Sequence, residues 1–203
     1  MADSTDRRLY DLIERLGTLL HDRARAPDDD PADDLQPVHV RILAYLDACN
    51  RYSDTPAAVT AYLGLTKGTV SQSLSLLHRR GLIDKTPDPD DRRVVHLALR
   101  PAGRDALAAH VPPATFRDAC AQLPAGDRAA LAAQLDGLLR AMQQTTGRSG
   151  FGLCHTCRLF RREPDGFRCG LTLEPLSPAD SEKICREHET PTTSGAGAAH
   201  DDV

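Results

Sequence analysis

Four of the six cysteines in this 203-residue chain lie in one short stretch near its C-terminal end. They are Cys154, Cys157, Cys169 and Cys185, with the spacing C-x2-C-x11-C-x15-C. A C-x2-C turn lets two thiolates face one ion from a tight loop, and two further sulfurs complete a tetrahedral site. The pattern therefore predicts a small metal-binding module.

The same four thiolates suit either a zinc ion or an iron–sulfur cluster. Only the first pair forms a full knuckle, and His188 follows Cys185 closely enough to be a substitute ligand. The surrounding segment has too few apolar residues to fold by burial alone, whereas structural zinc supplies roughly 10 to 16 kcal/mol to such a unit. Zinc is the predicted cofactor, and an iron–sulfur cluster remains the alternative.

The chain begins without the features of a signal peptide and has no apolar run of membrane-spanning length, so we expect a cytoplasmic protein without membrane association. In a reducing cytoplasm, clustered cysteines are ligands or redox groups rather than structural disulfides. A thioredoxin-like C-x-x-C would follow a strand early in a βαβ unit. Here it follows a long Ala/Leu-rich segment, and other catalytic motifs are absent from the sequence, so we expect no enzyme.

The segments that precede the cysteines are mostly helical in pattern. Apolar residues three and four positions apart predict an amphipathic first helix over residues 5–26, which needs a partner surface. The acidic, proline-containing stretch 27–34 predicts a solvated linker. Further helices are predicted over residues 36–49, 56–63, 66–80, 102–109 and 124–142.

Two of these helices form a helix-turn-helix candidate. Thr55 is the expected N-cap of the first, with Pro56 at its first position, and Thr66 is the expected N-cap of the second. Gly64 lies in the short connection, and Gly81 ends the second helix. The β-prone runs LIDKT and VVHLAL then flank the charged turn PDPDDRR, which predicts a β-hairpin.

A helix that reads duplex DNA presents polar or basic side chains opposite an apolar face. Val70, Leu74 and Leu77 supply the apolar face, and Gln72 is the best candidate for reading a base edge. Between Leu65 and Arg100, 7 Lys and Arg face 4 Asp, a local charge of +3 in a chain of −4. The predicted DNA contacts on the helix are Thr66, Lys67, Thr69, Ser71, Gln72 and Ser73.

The hairpin tip supplies a second predicted contact with DNA. Arg92 and Arg93 lie at the end of a protruding loop, where a guanidinium can enter a minor groove. Asp91 is placed to orient one of them.

These motifs together resemble the MarR (multiple-antibiotic-resistance regulator) family of bacterial regulators. The resemblance covers about residues 5–145, and the succession TVSQ, RRGLI, DPDDRR and RPAGR carries it. It implies a winged-helix homodimer with interlocking terminal helices, and two recognition helices in successive major grooves of a near-palindromic site. The recognition-helix start of the family maps onto residues 66–72, and its wing-tip Asp-x-Arg maps onto Asp91 and Arg93. Family members respond to small-molecule effectors, but the sequence identifies none here.

The predicted fold class is mainly α with a small β-hairpin wing. It is a winged helix-turn-helix with N- and C-terminal dimerisation helices (residues 1–145), a metal-binding module (residues 150–189) and a disordered tail (residues 190–203). The predicted function is a sequence-specific transcription regulator, a repressor, that binds double-stranded DNA as a homodimer. Its metal site is either structural or tunes DNA binding. The alternative is a thiol-redox or metal-sensing protein that uses the C-x-x-C module actively and the winged helix for protein contacts.

Overall fold

The computed structural model describes residues 4–21, 35–146 and 150–191. The predicted linker 27–34 and all but the first two residues of the predicted disordered tail lie outside the described residues. The described helices before the cysteines are α1 (Ser4–His21), α2 (Pro37–Ala48), α3 (Pro56–Leu63), α4 (Lys67–Arg79), α5 (Pro101–His110), α6 (Ala114–Ala121) and α7 (Ala125–Thr146).

The helix-turn-helix forms where the sequence predicts it. The Thr55 hydroxyl accepts a hydrogen bond from the Ala58 N–H at 3.3 Å, and α3 begins at the next residue. Gly64 ends α3 in the left-handed conformation, with a φ of 65°, which an L side chain adopts only with strain. The Thr66 hydroxyl then caps α4 by accepting from the Thr69 N–H at 3.2 Å.

The core lies between α2, α3, α4, α5 and a two-stranded hairpin, β1 (Ile83–Pro87) and β2 (Val95–Leu99). The strands are antiparallel, with Ile83 opposite Leu99 and Lys85 opposite Leu97. Because side chains alternate along a strand, Ile83, Leu97 and Leu99 all face the core. The residues buried most completely are Ile42, Leu43, Tyr45, Ser53, Ala58, Val59, Val70, Leu74, Leu77 and Ile83.

Helices α1 and α7 keep their apolar stripes exposed in the single chain. The exposed residues of α1 include Leu12 and Leu16, and those of α7 include Leu135 and Leu139. Apolar stripes of this size on helices normally pack against another surface. Helix α6, which sequence periodicity did not predict, lies between α5 and α7 in the chain.

The cysteine module, residues 150–189, is built from very short strands. Strands β3 (Gly152–Leu153) and β7 (Ile184–Cys185) pair antiparallel, and β4 (Phe160–Glu163), β5 (Gly166–Cys169) and β6 (Pro175–Leu176) form a second antiparallel sheet. A 3-10 turn, Cys154–Thr156, and the short helix α8 (Pro178–Ser181) complete it. The pairing places Cys169 opposite Phe160 and Cys185 opposite Gly152, so the sheets bring distant cysteines into one module.

The module packs on the loop between α2 and α3, residues 49–55. The Asn50 N–H donates to the Ile184 carbonyl at 2.9 Å, and the Arg186 N–H donates to the Ser53 hydroxyl at 2.8 Å. The Arg51 guanidinium donates to a Glu174 carboxylate oxygen at 3.1 Å. Backbone and side-chain bonds therefore join the module to the winged-helix core.

An aromatic cluster forms a second contact between the module and the core. The Phe151 ring lies edge-on to Tyr62 with the ring centroids 5.1 Å apart, and edge-on to Tyr45 at 6.2 Å. Such tilted and edge-to-face pairs are favourable arrangements of aromatic rings. No helix among the described residues is long and apolar enough to cross a membrane.

Gly103 fixes the packing of α5 against the base of the hairpin. A Cβ at this position would lie 2.1 Å from the Leu82 carbonyl oxygen, whereas a Cβ at Gly126, in the first turn of α7, would meet nothing within 4 Å. Helix propensity alone favours alanine over glycine by up to about 1 kcal/mol. We expect Gly103→Ala to destabilise the protein by about 1 to 3 kcal/mol, because α5 must move away from the hairpin.

Thermal denaturation of the two variants measures this effect. Gly126→Ala is the matched control, and its melting temperature should equal or exceed that of the unchanged protein. A melting temperature for Gly103→Ala at or above that of the control would contradict this account of the packing.

Candidate functional site

Helix α4 presents a polar face to solvent. Its capping residue Thr66 and the helix residues Lys67, Thr69, Ser71 and Gln72 are exposed, and the Thr66 and Thr69 hydroxyl oxygens lie 2.9 Å apart. These side chains lie on the outer surface of a helix whose inner face is anchored in the core. This geometry suits a helix that enters a groove.

Ser73 is not on this exposed face. Its residue exposure is only 6%. It lies three residues after Val70 and four before Leu77, and residues at these intervals share one face of a helix. The prediction that Ser73 lies on or near the face opposite the core residues is therefore wrong, because Ser73 lies on the buried face of α4 with Val70 and Leu77.

The hairpin tip is held by carboxylates. One Asp88 oxygen accepts the N–H groups of Asp90 and Asp91, each at 2.8 Å. Asp91 in turn accepts from Arg93 at Nε (2.9 Å) and at Nη2 (2.8 Å), while the Arg93 side chain stays 91% exposed. A bidentate pair of this kind fixes the guanidinium plane without burying it. The hairpin with this tip, residues 83–99, is hereafter the wing.

His96 ties the wing to the helix-turn-helix. Its Nδ1 lies 2.6 Å from a carboxylate oxygen of Asp54, just before α3, and its Nε2 lies 3.0 Å from the second oxygen of Asp88. Hydrogen bonds to Asp88 and Asp54 raise the pKa of His96. The two carboxyls shift in opposite directions: burial raises the pKa of Asp54, whereas N–H donors from Asp91 and Asp90, together with His96, lower that of Asp88.

The four clustered cysteines line a single cavity in the cysteine module. All six cysteines of the chain lie within the described residues, and none forms a disulfide. The cavity is otherwise mostly apolar, and Tyr52 of the α2–α3 loop reaches its wall. Its lining residues are Tyr52, Cys154, Cys157, Leu159, Phe160, Cys169, Leu171, Thr172, Cys185 and Glu187. The structure therefore brings together the predicted ligand cysteines, which lie far apart in sequence.

Backbone N–H groups favour the thiolate form of three of these cysteines. The Glu189 N–H donates to the Cys157 sulfur at 3.3 Å, and the Glu187 N–H opposes the rise in the pKa of Cys185 that burial causes. Burial alone would raise the pKa of the Cys169 thiol, but N–H groups from the following turn, at Thr172 and Leu171, outweigh it and the pKa is lowered. Such N–H donors favour the thiolate, the form of cysteine that binds metals.

The pKa of the other two cysteines moves upward. Burial, followed by the neighbouring thiols, raises the pKa of Cys154 to about 12. Burial also raises the pKa of Cys185, against the opposing donors Asn50 and Glu187. When several buried thiols lose their protons, the thiolates repel one another, so a nearby positive charge is needed. A bound metal ion supplies that charge and deprotonates the thiols that bind it.

The chemistry of the cysteines fits a thiolate-bound metal, but the four sulfurs do not have the arrangement of a formed metal site in this structure. Among the described side chains, no group of three or more His, Cys, Asp and Glu has the arrangement of a formed metal site. His188, the predicted substitute ligand, does not line the cavity: its Nε2 lies 2.9 Å from the Thr156 hydroxyl, and burial lowers its pKa. Cys154, Cys157, Cys169 and Cys185 are thus the residues that could hold a metal.

Sequence reasoning missed several residues that complete these sites. Asp54, Asp88 and His96 form the link from the α2–α3 loop to the wing, and Asn50 lies beside Cys185. One sequence signal was available, because His96 interrupts the apolar run VVHLAL on a half-buried strand. Asn50 gives no comparable signal, since its role depends on residues more than a hundred positions away.

The capped helices, the buried inner face of α4 and the arginine-tipped wing define a winged helix-turn-helix. Residues 33–94 match the family model described as MarR family. The matched residues run from α2 to the wing tip, and they exclude α1, α5 to α7 and the cysteine module. This match confirms the resemblance predicted from the sequence.

Solved structures extend the comparison. Streptococcus pneumoniae FabT, solved in complex with DNA, is 24% identical over 70% of this chain and 96% of its own, with a TM-score of 0.50. The S. aureus MepR–DNA complex is 23% identical over 70% of this chain and 100% of its own, with a TM-score of 0.49. Apo wild-type MarR from E. coli is 20% identical over 68% of this chain and 99% of its own, with a TM-score of 0.48. No curated protein matches the chain.

The similarity to FabT shows the fold of the winged-helix part. It confirms the predicted fold class for that part, mainly helical with a small hairpin wing. The metal-binding part of the predicted fold class stays a prediction.

The raised pKa of His96 has a consequence for stability. The folded protein holds this proton more tightly than the unfolded chain, whose histidine pKa is about 6.5. The stabilisation is therefore complete below about pH 6.5, while the carboxylates stay ionised, and is lost as pH rises through the folded-state pKa. We expect the melting temperature of the unchanged protein to exceed that of His96→Gln by a margin that shrinks as pH rises above about 6.5.

An NMR titration of the His96 ring tests the cause of this pH dependence. Asp88→Asn keeps a side-chain oxygen for the Asp90 and Asp91 N–H groups but removes the charge that faces His96. The midpoint for His96 should fall in this variant. An unchanged midpoint would show that Asp88 does not hold the proton.

Proposed function

We propose that the chain is a non-enzymatic transcription regulator that binds double-stranded DNA sequence-specifically through α4 and the wing. The observation that carries this proposal is Arg93, held by Asp91 on an exposed wing beside the polar face of α4. A guanidinium fixed in this way can enter a minor groove while the helix occupies the adjacent major groove. FabT and MepR, which share this architecture, were both solved with DNA.

The proposed DNA-binding unit is a homodimer. The exposed apolar stripes of α1 and α7 are the surfaces that a second copy would cover, as the family resemblance implies. A two-fold dimer presents two recognition helices about one turn of DNA apart, which selects a near-palindromic operator. A dimer bound across a promoter excludes polymerase, so we propose that the regulator is a repressor.

Arg93→Ala tests the role of the wing. We expect it to weaken binding to a duplex selected by the unchanged protein from a random pool by about tenfold, with the salt dependence of log K reduced by about one counterion. Fluorescence anisotropy at several salt concentrations measures both quantities. The reason is the loss of one positioned guanidinium from the minor groove.

Arg92→Ala is the matched control, because it removes the same charge from the same loop without breaking the pair with Asp91. It should cost less affinity than Arg93→Ala. Equal losses for the two variants would reduce the contribution of Arg93 to net charge alone, and unchanged binding in both would remove the wing from the proposed interface.

We also propose that Cys154, Cys157, Cys169 and Cys185 bind zinc in the cysteine module. Three observations support this: the four cysteines line one cavity, the Glu189 N–H donates to the Cys157 sulfur, and the module is built on strands of two to four residues. Bound zinc would supply a cross-link among segments that have little core of their own. An iron–sulfur cluster is the alternative occupant of the same thiolates.

Metal analysis of anaerobically purified protein tests the cysteine site. We expect a colourless protein with one zinc per chain, and Cys169→Ser should lose most of the zinc and lower the melting temperature of the module. Cys120→Ser is the matched control, because Cys120 lies on α6 outside the cavity lining, and it should keep the zinc.

Other outcomes of the metal analysis are equally informative. Brown protein with iron and visible absorption would replace zinc by an iron–sulfur cluster. Metal-free protein in which Cys154 and Cys157 form a reversible disulfide would favour the thiol-redox alternative.

A further inference from the structure

Asn50 carries an unsatisfied hydrogen-bond donor at the boundary between the core and the cysteine module. The residue is 4% exposed, and its side-chain oxygen accepts from the Ser53 hydroxyl at 2.8 Å and from the Tyr52 N–H at 3.2 Å. Its Nδ2 is the one buried side-chain nitrogen or oxygen, among the residues that the structure describes, without a hydrogen-bond partner. Buried donors are rarely left unpaired, so this nitrogen needs an explanation.

The unpaired nitrogen belongs to a loop that lies beside Cys185. Two donors fix the side-chain oxygen of Asn50, so the amide cannot turn over without losing both bonds. The Asn50 N–H donates to the Ile184 carbonyl, and the Ser53 hydroxyl accepts from the Arg186 N–H, so both chain neighbours of Cys185 bond to this loop. Cys185 is therefore the residue of the cysteine site that lies beside Asn50, although no hydrogen bond from Nδ2 is formed in this structure.

The other end of the same loop holds the wing. The Asp54 carbonyl accepts from the Leu97 N–H at 2.8 Å, and the Asp54 carboxylate contacts His96 at 2.6 Å. His96 reaches Asp88, which holds the N–H of Asp91, the partner of Arg93. Hydrogen bonds thus connect Asp54 to the wing-tip guanidinium, and Ser53, the preceding residue of the same loop, bonds to the cysteine module.

The module has no direct route to the DNA-binding surface. With the module in place, Lys67 and Gln72 on α4 remain exposed, and so does Arg93 on the wing. The module therefore does not cover that surface. An effect of the cysteine site on DNA affinity can pass through the internal contacts of the module, and those with the α2–α3 loop lead to the wing.

We propose that Asn50 donates to the metal-bound Cys185 thiolate and that this bond, passed on by Asp54 and His96, fixes the wing tip for DNA. Asn50 and His96 are then positioning residues, and zinc-loaded protein binds DNA more tightly than zinc-free protein. The proposal rests on the proposed DNA binding and zinc binding, and it adds the regulation that joins them. Zinc binds the conformation in which Asn50 donates to Cys185 more tightly than the conformation without this bond. This difference in zinc affinity is what couples zinc binding to DNA binding.

The test uses the full-length protein, prepared with zinc and after chelation, and a duplex selected from a random pool by the zinc-loaded form. We expect zinc to raise DNA affinity by about tenfold, a typical coupling between sites. Equal DNA affinity of the zinc-loaded and zinc-free forms, both measurable, would overturn the proposal and leave the proposed function intact. A protein that binds no zinc or no DNA would instead overturn the proposed function.

Asn50→Asp isolates the donor. It keeps an oxygen for Ser53 and Tyr52 but replaces the N–H group by an acceptor, so we expect zinc affinity to fall about 10- to 100-fold, as for other outer-shell partners of metal ligands. The effect of zinc on DNA affinity should fall with it even at saturating zinc. A zinc affinity and a zinc effect equal to those of the unchanged protein would contradict the role of Asn50.

His96→Gln isolates the relay, since it lies far from the cysteines. It should keep the zinc affinity of the unchanged protein and lose most of the effect of zinc on DNA affinity. His110→Gln, on α5 with its Nδ1 2.6 Å from the Ala106 carbonyl, is the matched control and should keep both. A full zinc effect in His96→Gln would overturn the relay.

A spectroscopic measurement covers the case in which a variant fails to fold. In the unchanged protein, the NMR signals of the His96 ring and the Arg93 Nε–H should shift when zinc is added to the chelated form, without DNA. Signals that stay unchanged, while the cysteine signals respond to zinc, would overturn the proposal.

Discussion

The α2–α3 loop, residues 49–55, is the constraint on which the other parts of the structure depend. A buried loop must pair its polar groups internally, and here they pair in two directions. Asn50 and Ser53 bond to the cysteine module, whereas Asp54 bonds to the strand and the histidine of the wing. The Ser53 carbonyl also accepts the Tyr45 hydroxyl at 2.7 Å, which ties the loop to the centre of the core. The loop is therefore a hydrogen-bonded connection between the wing and the cysteine module.

The winged helix could be predicted from sequence because its signals are local. Thr55 and Thr66 cap helices that begin at the next residue, and the change from helical to alternating apolar residues marks the wing. The same local reasoning placed Ser73 wrongly, because a polar residue was assumed to be exposed. Its position between Val70 and Leu77 decides the face, and periodicity outweighs polarity inside a helix.

The cysteine site could be predicted only in part. Ligand chemistry and the C-x2-C spacing select the four cysteines without any knowledge of the fold. The strands that bring Cys185 to the others, and the docking of the module on Asn50, depend on contacts between distant residues. One such contact is that of the Arg186 N–H with the Ser53 hydroxyl, 133 positions apart in the chain. Short strands with little apolar content leave no periodicity from which to predict such contacts.

The position of the module leaves the proposed dimer and DNA surfaces free. The module lies against α2 and α3 and contacts α7 through Gln143, whose Nε2 donates to the Phe151 carbonyl at 3.0 Å, while the apolar stripes of α1 and α7 and the polar face of α4 remain exposed. A second copy and a DNA duplex could therefore both bind while the module stays in place. A module that blocked either surface would control binding by competition, which needs no internal contacts. A module that leaves both surfaces free acts instead through internal contacts, and the contacts of Asp54 with Leu97 and His96 are where the α2–α3 loop meets the wing.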